Sequence, residues 1–382
     1  MASSAIVVSV NVSSKATDSS RRWEFVGSVS GDFSGRIYGR GFGDASAPLM
    51  PLSVPRRIPR LFILLLMVLM LTSWLALFAF SSLPISATDA LSALWHMDEQ
   101  QVAHLIVRDI RLPRALEAIL IGASLSCAGA LMQGLTRNPL ASPSLFGVNA
   151  GAALGMALVS TVFTSTFILT SQVAAMLGGL SAWTLVMVLG GAWKMGSERG
   201  QLVLAGIAIS ALCSALTKAC VILVEEQAAS VMTWLAGSFA HVGWETWQMS
   251  WPGLSAALVL SMLLAPKLNI LVMGDERVKS LGVNLTLLRI LVGLIVLTLI
   301  GISVSMVGAI AFIGLIVPHM ARFLVGYDHR ILLPTVMLLG AILALAADIL
   351  SRMVVFPTET PAGAVLALIG APYFLYLVRK QR

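Results

Sequence analysis

The chain has 382 residues, of which 58% are hydrophobic and 11% charged, and its mean hydropathy is +0.90. Soluble domains carry about 25% charged residues, so this composition excludes a water-soluble protein and requires an integral membrane one. The formal charge of +7 then reads as topology and lipid-headgroup contact, not as a nucleic-acid footprint.

Residues 1–57 are rich in Ser, Gly and Arg and lack sustained periodicity, which predicts a disordered N-terminal extension. The twin arginine of SSRRWEF lies too far from the next apolar run, beginning at Leu61, to form a signal peptide. Met50 opens MPLSVPRRIPRLFILLL and reads as an alternative start. A membrane span needs about 20 mostly apolar residues. Runs near 61–83, 114–133, 145–168, 172–193, 201–224, 250–266, 287–306, 308–325, 331–351 and 363–379 meet or approach that length. They predict an all-α, polytopic bundle of about ten transmembrane helices within residues 58–382. A transmembrane β-barrel would show alternating segments of about 10 residues instead. The stretch 287–325, containing GISVSMVGAIAFIGLIVP, can be divided in more than one way.

Basic residues orient such a bundle, because cytoplasmic loops carry the excess of Lys and Arg. Arg56, Arg57 and Arg60, then Arg137, Lys194, Arg199, Lys267, Arg277, Lys279, Arg289, Arg330, Arg379, Lys380 and Arg382 all fall on one side. The loops of the other side, 84–113, 225–249 and 352–362, hold Arg108, Arg111, Arg114 and Arg352 among acids such as Asp89, Asp98, Asp109 and Glu359. Both termini are thus expected in the cytoplasm, with the arginines of RDIRLPR facing outward. Trp234, Trp244, Trp247 and Trp251 cluster on the outer side, as an interfacial aromatic belt does.

Arginines facing outward need compensation. Arg114 has Glu117 at i+3 and Arg352 has Asp348 at i−4, and such helix pairs contribute only about 0.2–0.5 kcal/mol each. Neither pair accounts for Arg108 or Arg111, whose near acid Asp109 is adjacent and does not face them on a helix. The other reading is a basic rim that receives acidic groups of a partner. Guanidinium forks hold carboxylates bidentately, and opposite potentials steer encounter.

No GxxxxGK[ST] occurs, so any use of ATP belongs to another polypeptide. The most charged inner stretch is NILVMGDERVKSLGVNLTLLR. It combines Asp275, Glu276 and Arg277 with the apolar Leu281 and Val283 and a turn at Gly282, as a coupling loop over 267–288 would. Ionisable groups within spans are few, and Lys218, Glu117 and Asp348 form no carboxylate relay. Cys127, Cys213 and Cys220 lack CxxC spacing and read as small core residues. His319 reads as structural. His96 and His104, beside Asp98 and Glu99, give only a weak metal pattern, so neither metal nor cofactor is expected. Gly147, Gly151 and Gly155 have the spacing that lets helices approach closely. Gln133, Asn138, Asn149 and Ser210 are candidates to line a path.

Several ordered motifs carry a resemblance. RLPRALEAILIGASLSCAGALMQGLTRNPLASPSLFGVNAGA, GAIAFIGLIVPHMARFLVGYDHRILLP, LALAADILSR and PAGAVLALIGAPYFLYLVRK resemble the iron–siderophore and cobalamin permease family of bacterial ABC importers, over about residues 58–380. ASPSLFGVNAGAALGMAL, WLAGSFAHVGWE and LGVNLTLLR look closest to the ferric dicitrate permeases. The resemblance implies a non-catalytic, ten-helix subunit of the bacterial inner membrane that moves a ferric chelate. It implies a second permease subunit, identical or paralogous, cytoplasmic ATP-binding subunits, and a periplasmic or lipid-anchored substrate-binding protein. It also implies that Arg111, Arg114 and Arg352 dock that binding protein. It assigns contact with the ATPase to the loop holding Asp275, Glu276, Arg277, Leu281, Gly282 and Val283. KMGSERGQ resembles the cytoplasmic gate loop in position, but has Arg199 and Gly200 where a small polar pair is expected. The rival reading is a self-sufficient, cation-coupled secondary transporter.

Overall fold

The structure, a computed structural model, describes residues 57–96, 98–139, 141–142, 147–161, 170–190, 199–272 and 284–380. Among them all regular structure is helical. In chain order the helices are α1 (Arg57–Phe78), α2 (Ala87–Trp95), α3 (Val102–Thr136), α4 (Val148–Thr161), α5 (Ser171–Leu189), α6 (Arg199–Leu223), α7 (Glu225–Leu235), α8 (Trp244–Val272), α9 (Leu285–Val307), α10 (Ile313–Val325), α11 (His329–Val354) and α12 (Ala362–Lys380). Seven of these, α1, α3, α5, α6, α8, α9 and α11, are long and apolar enough to cross a membrane. Helices α4, α10 and α12 contain shorter apolar segments. Each of these ten overlaps one of the ten apolar runs. The chain is an all-α, multi-pass membrane protein.

Two features depart from the reading of the sequence. Helices α2 and α7 occupy stretches read as outer loops. Ser86 starts α2 through a reciprocal capping box with Asp89, a pairing that satisfies two otherwise orphaned backbone donors. Helix α3 begins at Val102, well before the apolar run at 114, and its 35 residues span about 52 Å at ~1.5 Å per residue. That exceeds the hydrocarbon thickness of about 30 Å, so α3 projects beyond the bilayer core. The polar opening turns of α3 belong to the projecting part, which is why hydropathy alone missed them.

Helix α3 is the central element. It packs against α8, α9, α10 and α11, while α4, α5 and α6 pack together and join the rest chiefly through α9. Helix α1 has the opposite character: Ile63, Met67 and Met70 are more than half exposed, an apolar surface suited to lipid tails. Close approach around α3 depends on small residues. A Cβ on Gly122 would overlap the Gly340 carbonyl of α11, and one on Gly129 would overlap the Gly314 carbonyl of α10. Ser126 completes the α3–α11 seam, its Oγ donating to the Val336 carbonyl at 2.7 Å. Of the predicted glycine series, Gly151 and Gly155 meet Gly178 of α5, whereas Gly147 precedes α4 at φ +77. The ambiguous stretch 287–325 divides at Gly308, whose φ of 78 ends α9, and α10 restarts after Phe312.

Candidate functional site

Proline creates the first step of the site. Pro113 has no N–H, and its ring would clash with the carbonyl four residues back in a regular helix. The backbone widens there into a π turn over Val107–Arg111, with the Leu112 N–H donating to the Val107 carbonyl. Such turns are rare and concentrate at functional sites. The wider turn breaks the spacing of three that would align the arginines of RDIRLPR. Arg108 is exposed, and its carbonyl accepts from Trp244 Nε1 at 3.1 Å. Arg111 and Arg114 turn inward and are 6% and 4% exposed.

They meet the far end of α11. Arg114 donates from Nε and Nη2 to Asp348 Oδ1 at 2.8 and 2.7 Å, and from Nη1 to Glu359 Oε2 at 2.8 Å. Asp348 Oδ2 accepts from Arg352 Nη2 at 3.1 Å. Arg352 spends its other fork nitrogen on the Ala76 and Ala79 carbonyls at the end of α1, at 3.1 and 2.9 Å. The local i, i+4 pair of Asp348 and Arg352 therefore forms as the spacing suggests. The alternative local pair, Arg114 with Glu117, does not form: Glu117 points to α8, where Ser250 Oγ donates to its Oε2 at 2.7 Å. Long-range acids displace the local one because Asp348 Oδ1 takes two Arg114 nitrogens at once in a dry site, where charge-assisted bonds are strong.

The electrostatic balance is uneven. Three guanidiniums meet two carboxylates, and Arg111 is the one left over. Its Nε and Nη1 are buried and, among the described residues, have no hydrogen-bond partner. An uncompensated buried charge is strongly destabilising. The cluster therefore holds an unsatisfied demand for a carboxylate. Glu359 escaped the sequence reading as a partner because it lies 245 residues from Arg114; only the fold brings them together.

The opposite end of the same helices carries a second polar assembly. Arg137, just after α3 at φ 51, donates from Nε and Nη2 to the Leu271 carbonyl at 3.1 and 2.9 Å. Asn269, also in the last turn of α8, donates to Asp328 Oδ1 at 2.6 Å. Its Oδ1 accepts from the His329 N–H and from His329 Nδ1, both at 2.8 Å. Burial pushes the Asp328 carboxyl up, but the Arg330 N–H, the Asn269 amide and the nearby Arg330 and His329 outweigh it and hold the group below the usual carboxylate range. Nearby, Arg322 donates to Gln133 Oε1 and lies 5.9 Å from the Tyr327 ring centre. Gln133 thus serves a helix contact. Along α3, Arg114 and Arg137 are separated by about 35 Å, so the two assemblies lie at opposite ends of the bundle.

The remaining predicted residues fall into two groups. Asp275, Glu276, Arg277, Leu281, Gly282 and Val283 lie outside the described residues, as does most of KMGSERGQ. Arg199 and Gly200 open α6, and their side chains are likewise outside the description. Helices α8 and α9 flank the loop at Val272 and Leu285. The second group is structural. Cys127, Cys213 and Cys220 are free and buried. His104 accepts from the Asp98 N–H at Nδ1 and bonds Ser92 Oγ through Nε2 at 2.9 Å, which ties α2 to α3 and occupies both ring nitrogens. Among the described residues no three His, Cys, Asp or Glu side chains group as a metal site would require.

Comparison with known proteins matches this arrangement of sequence and fold. The model of the FecCD transport family covers residues 65–380. The Fe(3+) dicitrate transport system permease protein FecC of Escherichia coli (strain K12) is 48% identical over 316 residues, covering 82% of this chain and 95% of that protein. The Fe(3+)-citrate import system permease protein YfmD of Bacillus subtilis (strain 168) is 40% identical over 298 residues, covering 78% and 88%. A solved inward-facing metal-chelate type ABC transporter superposes with a TM-score of 0.73 at 32% identity, covering 85% of this chain and 99% of that one. With nearly the whole membrane domain matched in both sequence and fold, the chain belongs to the FecCD transport family.

Proposed function

We propose that the chain is the membrane-spanning permease subunit of an ABC importer and carries a ferric chelate of the citrate type inward across the bacterial inner membrane. It works with a second permease subunit, cytoplasmic ATP-binding subunits and an external substrate-binding protein. The names of its relatives support the cargo class. The observation that carries the mechanism is Arg111: its Nε and Nη1 are buried with no hydrogen-bond partner among the described residues, beside two guanidiniums that are fully engaged.

In this reading Arg111, Arg114 and Arg352 form the docking edge. Asp348 and Glu359 hold Arg114 and Arg352 in place, and a carboxylate of the binding protein completes Arg111. The three arginines thus have unequal roles, with Arg111 as the receiving group. The protein has ten membrane spans, counting α4, α10 and α12, and both termini are cytoplasmic. The segment after Val272, with Asp275, Glu276, Arg277, Leu281, Gly282 and Val283, meets the ATPase. The separation of the arginine cluster from the end of α8 and the start of α11 along the bundle supports that orientation. Arg199 and Gly200 take the position of the cytoplasmic gate.

Two measurements test this. Arg111→Met keeps most of the side-chain volume, removes the charge and breaks no hydrogen bond among the described residues. It is expected to leave folding intact and to weaken docking of the binding protein by about 2 kcal/mol or more, because a buried charge on the partner loses its mate. Docking of undiminished affinity rejects the role of Arg111. For orientation, single cysteines at positions 108 and 281 are expected to react with impermeant reagents from opposite sides of sealed vesicles. Labelling from one side only is incompatible with this topology.

A further inference from the structure

Three helices, α3, α8 and α11, each run from one polar assembly to the other. Helix α3 carries Arg111 and Arg114 at one end, and Arg137 directly follows its other end. Helix α11 has His329 at its start and Asp348 and Arg352 near its finish. Helix α8 starts at Trp244, bonded to the Arg108 carbonyl, and ends with Asn269 and Leu271. Between the ends the three are tied together by Ser126 to Val336, by Cys127 Sγ to Ser261 Oγ at 3.2 Å, and by Glu117 to Ser250. The Gly122–Gly340 approach leaves no side chain to slide between α3 and α11. Close-packed interiors of this kind transmit displacement instead of absorbing it.

The end of α8 is held more firmly than an ordinary helix terminus. Asn269 uses the donor and the acceptor of one amide at once, gripping the side chain of Asp328 and both the backbone and the ring of His329. Asp328 in turn caps α11, accepting from the Arg330 N–H at 3.0 Å. Capping α11 requires no residue from α8, since an Asp at that position satisfies the helix start by itself. The bond to Asn269 therefore does something else: it joins the terminus of α8 to the turn between α10 and α11. Three residues beyond Asn269, at Val272, the chain leaves α8 for the segment assigned to the ATPase.

We propose that the Asn269–Asp328–His329 clasp is a coupling joint, fastening α8 to α11 so that movement imposed beyond Val272 reaches the arginine cluster through α3 and α11. Asn269 and Asp328 are positioning residues. The inference rests on the importer reading above.

The clasp can be broken and remade by exchanging its two side chains. Asn269→Asp places a carboxylate against Asp328 and removes the donor between them. In the complete complex, reconstituted with its ATPase and binding protein, this variant is expected to dock the binding protein with unchanged affinity and to hydrolyse ATP at the basal rate. Stimulation of hydrolysis by the binding protein should fall roughly tenfold, within the usual range of coupling between sites. Adding Asp328→Asn restores a donor facing a carboxylate and keeps a side-chain oxygen to cap α11, since Asn caps about as well as Asp. Stimulation is expected to return in the double variant. Full stimulation in Asn269→Asp, or no recovery in the exchanged pair despite intact docking, overturns the joint while leaving the importer reading untouched. A complex of the unaltered chain that the binding protein fails to stimulate overturns both.

Discussion

Asp348→Ala is expected to destabilise the protein by about 3–5 kcal/mol, the range for breaking a buried ion pair from one side. Asp348 is 1% exposed and is the carboxylate shared between Arg114 and Arg352. Without it three guanidiniums share a single acid, Glu359, whose side chain is 32% exposed and correspondingly better solvated. Arg352 would keep its two carbonyl acceptors on α1, and Arg114 would keep one carboxylate. Thermal unfolding in detergent or lipid nanodiscs, followed with the yield of folded protein, measures the loss. A second substitution sharpens the test. Arg352→Met in the Asp348→Ala background removes one uncompensated charge and should recover part of the stability. A change below about 1 kcal/mol in the single variant would place Asp348 among ordinary exposed pairs and would contradict the dry, shared geometry.

The second large effect is expected at Gly129. Its missing side chain lets α3 lie directly on the backbone of α10 at Gly314. Even alanine must push the two helices apart, because the obstacle is a carbonyl and not the movable end of a side chain. Overpacking of this kind typically costs about 1–3 kcal/mol. Gly129→Ala is also expected to abolish most transport, since α10 and α3 share the Arg322–Gln133 contact at the end near the clasp. Gly243→Ala is the matched control: a Cβ there meets nothing within 4 Å and the backbone has no positive φ. Uptake in whole cells, normalised to the amount of folded protein, separates the two outcomes. Equal uptake by both variants would show that the α3–α10 contact tolerates separation.

What the residues announce by themselves is governed by solvent. The bilayer demands apolar runs of a set length, and the ten runs overlap the apolar helices with only local changes of boundary. Segments without that demand leave no such mark. Helix α2 depends on a capping box, and the first turns of α3 project where polar residues are tolerated, so neither leaves a hydropathy signal. The division at Gly308 is visible as a glycine but depends on its φ of 78, which no window average contains.

The arginine cluster separates the two kinds of information most clearly. Spacing could propose Arg111, Arg114 and Arg352 as one group, and the charge rule could send them to one side. It could not rank them. Arg111 is distinguished from Arg114 only because Asp348 and Glu359 arrive from 234 and 245 residues away and choose Arg114. The clasp at the other end is similar, since Asn269 meets Asp328 across 59 positions. Composition and periodicity decided by themselves that this chain is a helical membrane protein and roughly where it enters the bilayer, because water and lipid act on each segment independently. Which buried charges are satisfied, and which one is left without a carboxylate bonded to it, was decided by tertiary structure alone, because a hydrogen bond needs two groups within about 3 Å and only the packed helices bring them there.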